Sequence, residues 1–131
     1  MILVDTNVFV DVIHRDLIWL DWSLRELSKA KTKGIVTNFV VYAELHTHDT
    51  AGPHIDAFLE KLGVQILDVS RPAAQGAAHA FRAYRHRGGT KTGVLPDFFI
   101  GAHAQAEAYQ LLTRDAGRYK AFFPKIKLIC P

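Results

Sequence analysis

Short apolar runs that alternate with helical segments are the feature that most restricts the fold of this chain. Five such runs lie at residues 2–4, 35–37, 64–67, 111–113 and 126–129. The segments between them have the spacing or the end signals of helices, at residues 8–14, 17–31, 39–46, 54–62, 72–87, 97–109 and 116–122. Parallel strands joined by right-handed helical crossovers produce this alternation. The sequence therefore predicts an α/β fold in which helices cover both faces of a parallel sheet.

The composition is that of one globular domain, which we expect to cover residues 1–131. Of the 131 residues, 49% are hydrophobic and 22% are charged. No apolar run approaches the roughly 20 residues that span a bilayer, and the acidic N-terminal stretch is unlike a signal peptide. The single cysteine, Cys130, excludes an internal disulfide and fits a cytoplasmic location. The net charge of +3 is a weak indication of a polyanionic partner, and a basic protein without such a partner fits it equally well.

The first apolar run ends abruptly at a carboxylate. Asp5 follows Val4 directly, and Asn7 is a suitable N-cap for a helix that begins at Val8. In open α/β sheets this junction lies at the carboxyl edge, where ligands bind. An acid at the end of a strand buried on both faces is uncommon, so we expect Asp5 to belong to a functional site.

Three more acids are placed where they can reach the same edge. Glu44 shares a helix face with Val40 and Val41, Asp97 is in the first turn of a helix, and Asp115 lies just beyond the fourth strand. Each also has an ordinary interpretation, namely a surface glutamate, a residue that favours the helix dipole, and a turn or cap residue. Carboxylates without a nearby cysteine or paired histidine form an oxygen-ligand site, which favours Mg²⁺ or Mn²⁺ over zinc.

At these residues the sequence resembles the PIN-domain ribonucleases, and specifically the VapC-type toxins of bacterial toxin–antitoxin pairs. Four pieces carry the resemblance, in order and over nearly the whole chain: Val4-Asp5-Thr6-Asn7-Val8-Phe9, Tyr42-Ala43-Glu44-Leu45, the segment from Leu95-Pro96-Asp97 to Ala104, and Leu112-Thr113-Arg114-Asp115 with the Arg118-Tyr119 and Phe123-Pro124 that follow it. Each piece is weak by itself, and the four together are specific.

The resemblance implies a three-layer α/β/α sandwich whose five parallel strands have the order 3-2-1-4-5. It implies Mg²⁺-dependent endoribonuclease activity, with Mn²⁺ as a substitute, that leaves a 5′-phosphate and a 3′-hydroxyl. It also implies a homodimer and a cognate antitoxin that neutralises the toxin.

The resemblance assigns roles to individual residues as well. Asp5, Glu44, Asp97 and Asp115 match its catalytic and metal-binding acids, with Asp5 and Asp97 matching the positions most firmly tied to the metal. Polar positions that border the pocket match Thr6, Asn7 and Thr113. The basic Arg114 between Thr113 and Asp115 is a departure that we expect to affect substrate approach.

A basic stretch precedes Asp97 and is a candidate RNA-binding surface. It contains Arg82, Arg85, His86, Arg87 and Lys91 around a flexible loop at Gly88-Gly89. The alternative is a solvated helix end whose cations favour the helix C-terminus.

Other polar and aromatic residues have weaker claims. We expect His46, His48, Asp49 and His54 to lie in a polar loop without a metal role, and His103 to be packed or solvent-facing. Trp19 and Trp22 belong either to the core or to a partner surface.

Two other functions compete with that of a ribonuclease. A phosphatase of the HAD type also has an aspartate at the end of its first strand, but needs a second acid where this chain has Asn7. The other alternative is a non-catalytic PIN domain that binds RNA or a partner protein. Such domains usually lack one or more of the acids, whereas this chain keeps all four.

Overall fold

The fold is described from a computed structural model, which covers residues 1–48 and 52–131. One sheet of five parallel strands runs through it in the order β3-β2-β1-β4-β5. The strands are β1 (Ile2–Val4), β2 (Ile35–Asn38), β3 (Gln65–Leu67), β4 (Gln110–Leu112) and β5 (Leu128–Ile129). The helices in the described residues are α1 (Thr6–Ile13), α2 (Leu20–Lys31), α3 (Phe39–His48), α4 (Gly52–Leu62), α5 (Arg71–His86), α6 (Leu95–Ala106) and α7 (Gly117–Phe122). The predicted α/β class and strand order are confirmed.

The central strand β1 is buried on both of its faces. Successive side chains of a strand point to opposite faces, and Ile2, Leu3 and Val4 are all buried. β1 pairs with β2 through Leu3 and Val36 and with β4 through Leu3 and Leu111. The helices therefore form layers on both sides of the sheet, and the carboxyl ends of β1 and β4 lie side by side.

The first helix begins earlier than the sequence predicted. Asp5, and not Asn7, is its N-cap, because the Asp5 carboxylate accepts a hydrogen bond from the backbone nitrogen of Thr6. Asn7 lies inside the first turn, where its side chain is turned towards the end of β4. The prediction of Asn7 as N-cap was wrong because two neighbouring residues have equally good capping chemistry.

The second helix starts at Leu20 and not at Leu17. Asp16 accepts hydrogen bonds from the backbone nitrogens of Ile18 and Trp19, which holds this segment in a separate turn. Leu17 and Ile18 are consequently exposed, and Leu24 is 44% exposed. The buried face of α2 consists instead of Ser23, Leu27 and Ala30. Of the four leucines that recur at helical spacing, Leu17, Leu20, Leu24 and Leu27, only Leu27 lies on this buried face.

Other helix ends agree with their predicted signals to within a turn. Gly63 ends α4 with a positive φ of 70°, as expected for a C′ glycine. α6 stops at Ala106, before the predicted end at Tyr109, because Ala108 takes a positive φ of 57°. None of the helices in the described ranges is long and apolar enough to cross a membrane.

Candidate functional site

A pocket of about 220 Å³ lies at the carboxyl edge of β1 and β4. All four acids that the sequence singled out line it, and they come from four separate segments of the chain. The lining consists of Asp5, Thr6, Asn7, Val10, Glu44, His48, Asp97, Arg114, Asp115, Arg118 and Tyr119. Because the strand order places β1 between β2 and β4, the segments that follow these three strands reach one pocket. Asp97 joins them from the first turn of α6, the helix that precedes β4.

Asp5 lies at the floor of this pocket and is held by four hydrogen bonds. Its Oδ1 accepts from the backbone nitrogen of Thr6 at 2.7 Å. Its Oδ2 accepts from Asn7 Nδ2 at 3.1 Å, Thr113 Oγ1 at 2.8 Å and Tyr119 Oη at 3.0 Å. The side chain is only 4% exposed, so its position is fixed by the protein rather than by solvent.

Burial, complete or partial, raises the pKa of three carboxylates of the pocket. The pKa of Asp5 is raised from 3.8 to about 6: burial is the largest cause, the charge of Asp97 adds to it, and the hydrogen bonds to Asp5 oppose both. Burial also raises the pKa of Glu44 and the pKa of Asp97, and in both cases a neighbouring carboxylate adds to the effect. Concentrated negative charge of this kind would be relieved by a bound cation.

Glu44 and Asp97 are each oriented by a neighbouring side chain. Thr6 Oγ1 donates to Glu44 Oε1 at 2.7 Å. Arg118 Nη1 donates to Asp97 Oδ2 and forms an ion pair with it. The guanidinium charge lowers the pKa of Asp97 and so limits the increase that burial causes.

The three polar residues predicted to border the pocket occupy two depths. Thr6 and Asn7 line the pocket. Thr113 is fully buried beneath it, where its hydroxyl donates to Asp5 and accepts from the backbone nitrogen of Asp115 at 3.1 Å. Thr113 thereby connects the end of β4 to both of these acids.

The oxygen-rich lining fits Mg²⁺ or Mn²⁺ better than a softer metal. Carboxylate oxygens are the preferred ligands of these ions, and Mg²⁺ commonly keeps several waters and binds only one or two carboxylates directly. Within residues 1–48 and 52–131, no three His, Cys, Asp or Glu side chains are close enough together to form a complete ligand set.

The predicted RNA-binding cations lie outside the pocket lining. Arg82, Arg85, Arg87 and Lys91 are all exposed, at the end of α5 and in the turn that follows it. The guanidinium of Arg85 lies 5.0 Å from the ring centroid of Phe81, and that of Arg87 lies 4.9 Å from the centroid of Phe122. These aromatic supports direct the two arginines along the surface of the protein.

The turn beside these cations is packed against Tyr84. A Cβ on Gly89 would lie 2.4 Å from the Tyr84 ring, and the backbone nitrogen of Lys91 donates to Tyr84 Oη at 2.9 Å. The loop that the sequence predicted to be flexible therefore has defined contacts at both of these residues.

The histidines have separate environments. His46 and His48 lie on α3, not in the predicted loop, and Asp49 is outside the described residues. His48 lines the acidic pocket, whereas His54 is exposed on α4. His103 is 2% exposed and its Nδ1 lies 3.1 Å from Asn38 Nδ2, which confirms the packed alternative for His103.

The two tryptophans pack together at the start of α2. Their rings are 6.1 Å apart in a T-shaped arrangement, and both side chains are half-buried. Trp22 also contacts the hydrophobic core. A partner contact at Trp19 and Trp22 stays a prediction.

Four residues at or near the pocket had no individual role in the prediction from sequence: Asp11, His48, Arg118 and Tyr119. Asp11 is 1% exposed, although it is charged. A carboxylate between Val10 and Val12 on an apolar helix was the available signal, by the same reasoning that identified Glu44. Tyr119 and Arg118 had no comparable signal, because only tertiary packing brings α7 over the end of β1.

Comparisons with known proteins agree with this architecture. Residues 2–122 match the family model of the PIN domain, while no curated protein sequence matches the chain significantly. Among solved structures, VapBC2 from Rickettsia felis, bound to a DNA fragment from its promoter, is 22% identical over 100% of this chain and 99% of the matched chain, with a TM-score of 0.77.

Two further solved structures have the same fold. DNA-bound VapBC from Salmonella typhimurium is 18% identical over 98% of this chain and 96% of its own, with a TM-score of 0.73. A toxin–antitoxin complex from Klebsiella pneumoniae is 20% identical over 98% and 96%, with a TM-score of 0.64. At these identities the three structures establish a shared fold.

Proposed function

This chain belongs to the PIN domain family, and we propose that it is a metal-dependent endoribonuclease that acts as the toxin of a toxin–antitoxin pair. The observation that carries the proposal is the position of Asp5, Glu44, Asp97 and Asp115 around one pocket at the carboxyl edge of the sheet. Family membership makes a nuclease site the expected use of such a pocket. The substrate class, the metal and the roles of the residues are parts of the proposal.

In the proposed mechanism, Asp5 and Asp97 would hold Mg²⁺ or Mn²⁺ directly, and Glu44 and Asp115 would complete the site directly or through water. The ion would supply a water of lowered pKa and a positive charge against the phosphate. The protein contributes rigidity, since four donors fix Asp5 before any substrate arrives.

Proton transfer is assigned to the remaining acids. The pKa of Glu44 is raised by burial, and a carboxylate with a raised pKa is a better base at neutral pH than an ordinary surface glutamate. Thr6 holds Glu44 Oε1 in place. Glu44 is therefore our first candidate to orient and deprotonate the attacking water, and Asp115 is the second.

Metal-dependent cleavage by the purified protein is the direct test. We expect cleavage of RNA in Mg²⁺, its loss in EDTA, and its loss in the separate variants Asp5→Asn and Asp97→Asn, with 5′-phosphate ends at the cut sites. Glu60→Gln, which changes an exposed acid of α4, is the matched control and should cleave normally. Full activity of Asp5→Asn and Asp97→Asn, or RNA binding without Mg²⁺-dependent cleavage, would contradict the enzyme and favour a non-catalytic binding domain.

We also propose that Arg82, Arg85, Arg87 and Lys91 contact the RNA backbone outside the pocket. None of the four forms an ion pair with an acid of the described residues. Each neutralised phosphate of a single strand contributes about −0.7 to the slope of log affinity against log salt. Neutralising Arg85, Arg87 and Lys91 together should weaken binding and flatten that slope, and an unchanged slope would refute this role.

The toxin assignment includes an antitoxin partner, by analogy with the toxin–antitoxin complex that shares this fold. Its test is co-expression with the product of a neighbouring gene. We expect the two proteins to purify together and cleavage by the toxin to be suppressed. Undiminished cleavage in every such pair would contradict the assignment.

A homodimer is the proposed state of the toxin itself. An almost wholly apolar groove between α3 and α6 offers a surface for the second copy, with Phe39 53% exposed and Leu95 39% exposed at its edge. Sedimentation velocity distinguishes a 14.7 kDa monomer from a dimer. Phe39→Glu should shift the dimer to monomer, and a monomeric wild type would exclude the homodimer.

A further inference from the structure

The ion pair between the buried Asp11 and the partly exposed Arg114 has no place in the mechanism above. Asp11, on α1, is 1% exposed, and Ser23 Oγ donates to its Oδ2 at 2.8 Å. Arg114 Nε donates to both oxygens of Asp11, at 3.1 and 2.9 Å. A buried carboxylate with this many donors forms a rigid anchor, because every change in its position would break a hydrogen bond in a low-dielectric environment.

Two further contacts fix the anchored arginine. The backbone nitrogen of Arg114 donates to Asn7 Oδ1 at 3.2 Å, which holds the chain just beyond β4. The guanidinium carbon lies 5.7 Å from the ring centroid of Trp19, within the range of a cation–π contact. Arg114 is thus held at its backbone, at Nε and on one face of its guanidinium.

The side chain of Arg114 is only partly enclosed, and its charge also lowers the pKa of Asp16, after the backbone hydrogen bonds that Asp16 accepts from Trp19 and Ile18. Arg114 lines the pocket together with the four acids, and its side chain is 31% exposed. No residue of the described ranges accepts a hydrogen bond from its Nη nitrogens. Arg118 differs in this respect, because its Nη1 already donates to Asp97. Arg114 is therefore the pocket arginine that keeps its Nη donors for a ligand.

We propose that Arg114 binds a phosphate of the RNA next to the scissile one, and that Asp11 and Ser23 are positioning residues for it. The proposal rests on the proposed ribonuclease function and names a substrate contact within that site. A planar guanidinium offers two parallel N–H donors, which match the oxygens of a phosphate. Since the Asp11 anchor already immobilises the side chain, little conformational entropy is lost when the phosphate binds.

The competing interpretation is that Arg114 only joins α1 to the end of β4. A purely structural arginine would affect stability when replaced, but not the affinity for RNA per folded molecule. A phosphate contact made equally in the ground state and the transition state raises KM and leaves kcat nearly unchanged. These two quantities separate the two interpretations.

The test compares Arg114→Gln and Arg114→Lys with the control Arg25→Gln, which removes an exposed arginine of α2 that is 58% exposed. A short single-stranded RNA is the probe, for cleavage in Mg²⁺ and for binding by fluorescence anisotropy in EDTA. We expect Arg114→Gln to raise KM about tenfold, as for a lost charge-assisted hydrogen bond, with kcat little changed. Arg114→Lys should not restore KM, because one ammonium group cannot serve Asp11 and the phosphate together.

The binding measurement supplies a second readout. In EDTA, Arg114→Gln should reduce the salt slope by about 0.7, the value for one phosphate of a single strand, and Arg25→Gln should leave it unchanged. Asp11→Asn, which weakens the anchor, should raise KM by a smaller factor. Circular dichroism and thermal melting identify any variant that does not fold. If Arg114→Gln does not fold, Arg114→Lys is used in its place for both measurements.

Two outcomes would overturn the role of Arg114: an unchanged KM, or an unchanged salt slope, in a folded Arg114 variant. An unchanged KM in folded Asp11→Asn would remove Asp11 from its positioning role. If the wild-type protein bound RNA but did not cleave it, the ribonuclease proposal would fail. The anisotropy measurement would then still decide whether Arg114 contacts phosphate.

Discussion

Replacing Asp5 with asparagine should stabilise the metal-free protein at neutral pH while it abolishes cleavage. The pKa of Asp5 is raised from 3.8 to about 6, chiefly by burial. Each pKa unit corresponds to about 1.4 kcal/mol, so ionised Asp5 destabilises the folded protein by about 3 kcal/mol. Asparagine cannot ionise and does not carry this cost.

Part of this gain is lost through the hydrogen bonds of the site. Three donors converge on Asp5 Oδ2, from Asn7, Thr113 and Tyr119. An asparagine whose carbonyl oxygen takes the place of Oδ2 keeps these three donors, but its NH₂ group would then face the backbone N–H of Thr6. A lost hydrogen bond of this kind costs about 1 kcal/mol, which leaves a net stabilisation of about 2 kcal/mol in Asp5→Asn.

The pH dependence has a definite sign. The folded state holds the Asp5 proton more tightly than the unfolded state, so the stability of the wild type falls as pH rises from about 4 to about 6 and is level above that range. The advantage of Asp5→Asn should therefore grow across the same interval. Below the ordinary pKa of 3.8 both states of the wild type are protonated, and the advantage should disappear.

Urea denaturation in EDTA, followed by circular dichroism at a series of pH values, measures this difference. Glu60→Gln is the control, since it removes an exposed carboxylate and should show no comparable gain. If Asp5→Asn were less stable than the wild type near neutral pH, or its advantage did not vary between about pH 4 and pH 6, the argument from burial of the charge would be refuted.

Three further predictions concern the same site and its support. Mg²⁺ at 100 times its dissociation constant should raise the unfolding free energy of the wild type by about 2.7 kcal/mol and leave that of Asp5→Asn unchanged. If Mg²⁺ raised the melting temperature of both proteins equally, the ion would bind elsewhere. Tyr119→Phe removes the 3.0 Å hydrogen bond to Asp5. It should lower the unfolding free energy measured by urea denaturation by about 1 kcal/mol and reduce the rate of cleavage. If both quantities were unchanged, the Tyr119 hydroxyl would be dispensable. In Gly101→Ala the new Cβ would lie 2.5 Å from the buried Phe123 ring. Repacking should lower the unfolding free energy by about 1–3 kcal/mol, and the better helix propensity of alanine should offset about 1 kcal/mol of that loss. A variant more stable than the wild type would contradict this.

The sequence by itself determined the fold class and the candidate acids. Strand-type runs such as Ile2–Val4 alternate with helices, and this pattern has few solutions other than a parallel sheet with crossovers. Asp5 was identifiable because a carboxylate directly after a buried strand is costly without a function. The strand order and the residue roles followed from the resemblance, since periodicity does not specify which strands are neighbours.

Tertiary structure decided which side chains face one another. Asp5, and not Asn7, became the N-cap because Asn7 is turned towards Thr113 at the end of β4, 106 residues further along the chain. The start of α2 was predicted three residues too early because Asp16 caps a separate turn before it.

The contacts across the pocket were the least accessible to sequence reasoning. Arg118 pairs with Asp97, Tyr119 donates to Asp5, and Arg114 is anchored to Asp11. Each of these contacts joins residues far apart in the chain, and local patterns contain no information about such pairs. The sequence thus identified carboxylates that can reach one sheet edge, while their convergence and the neighbours that set their pKa values are fixed only by packing.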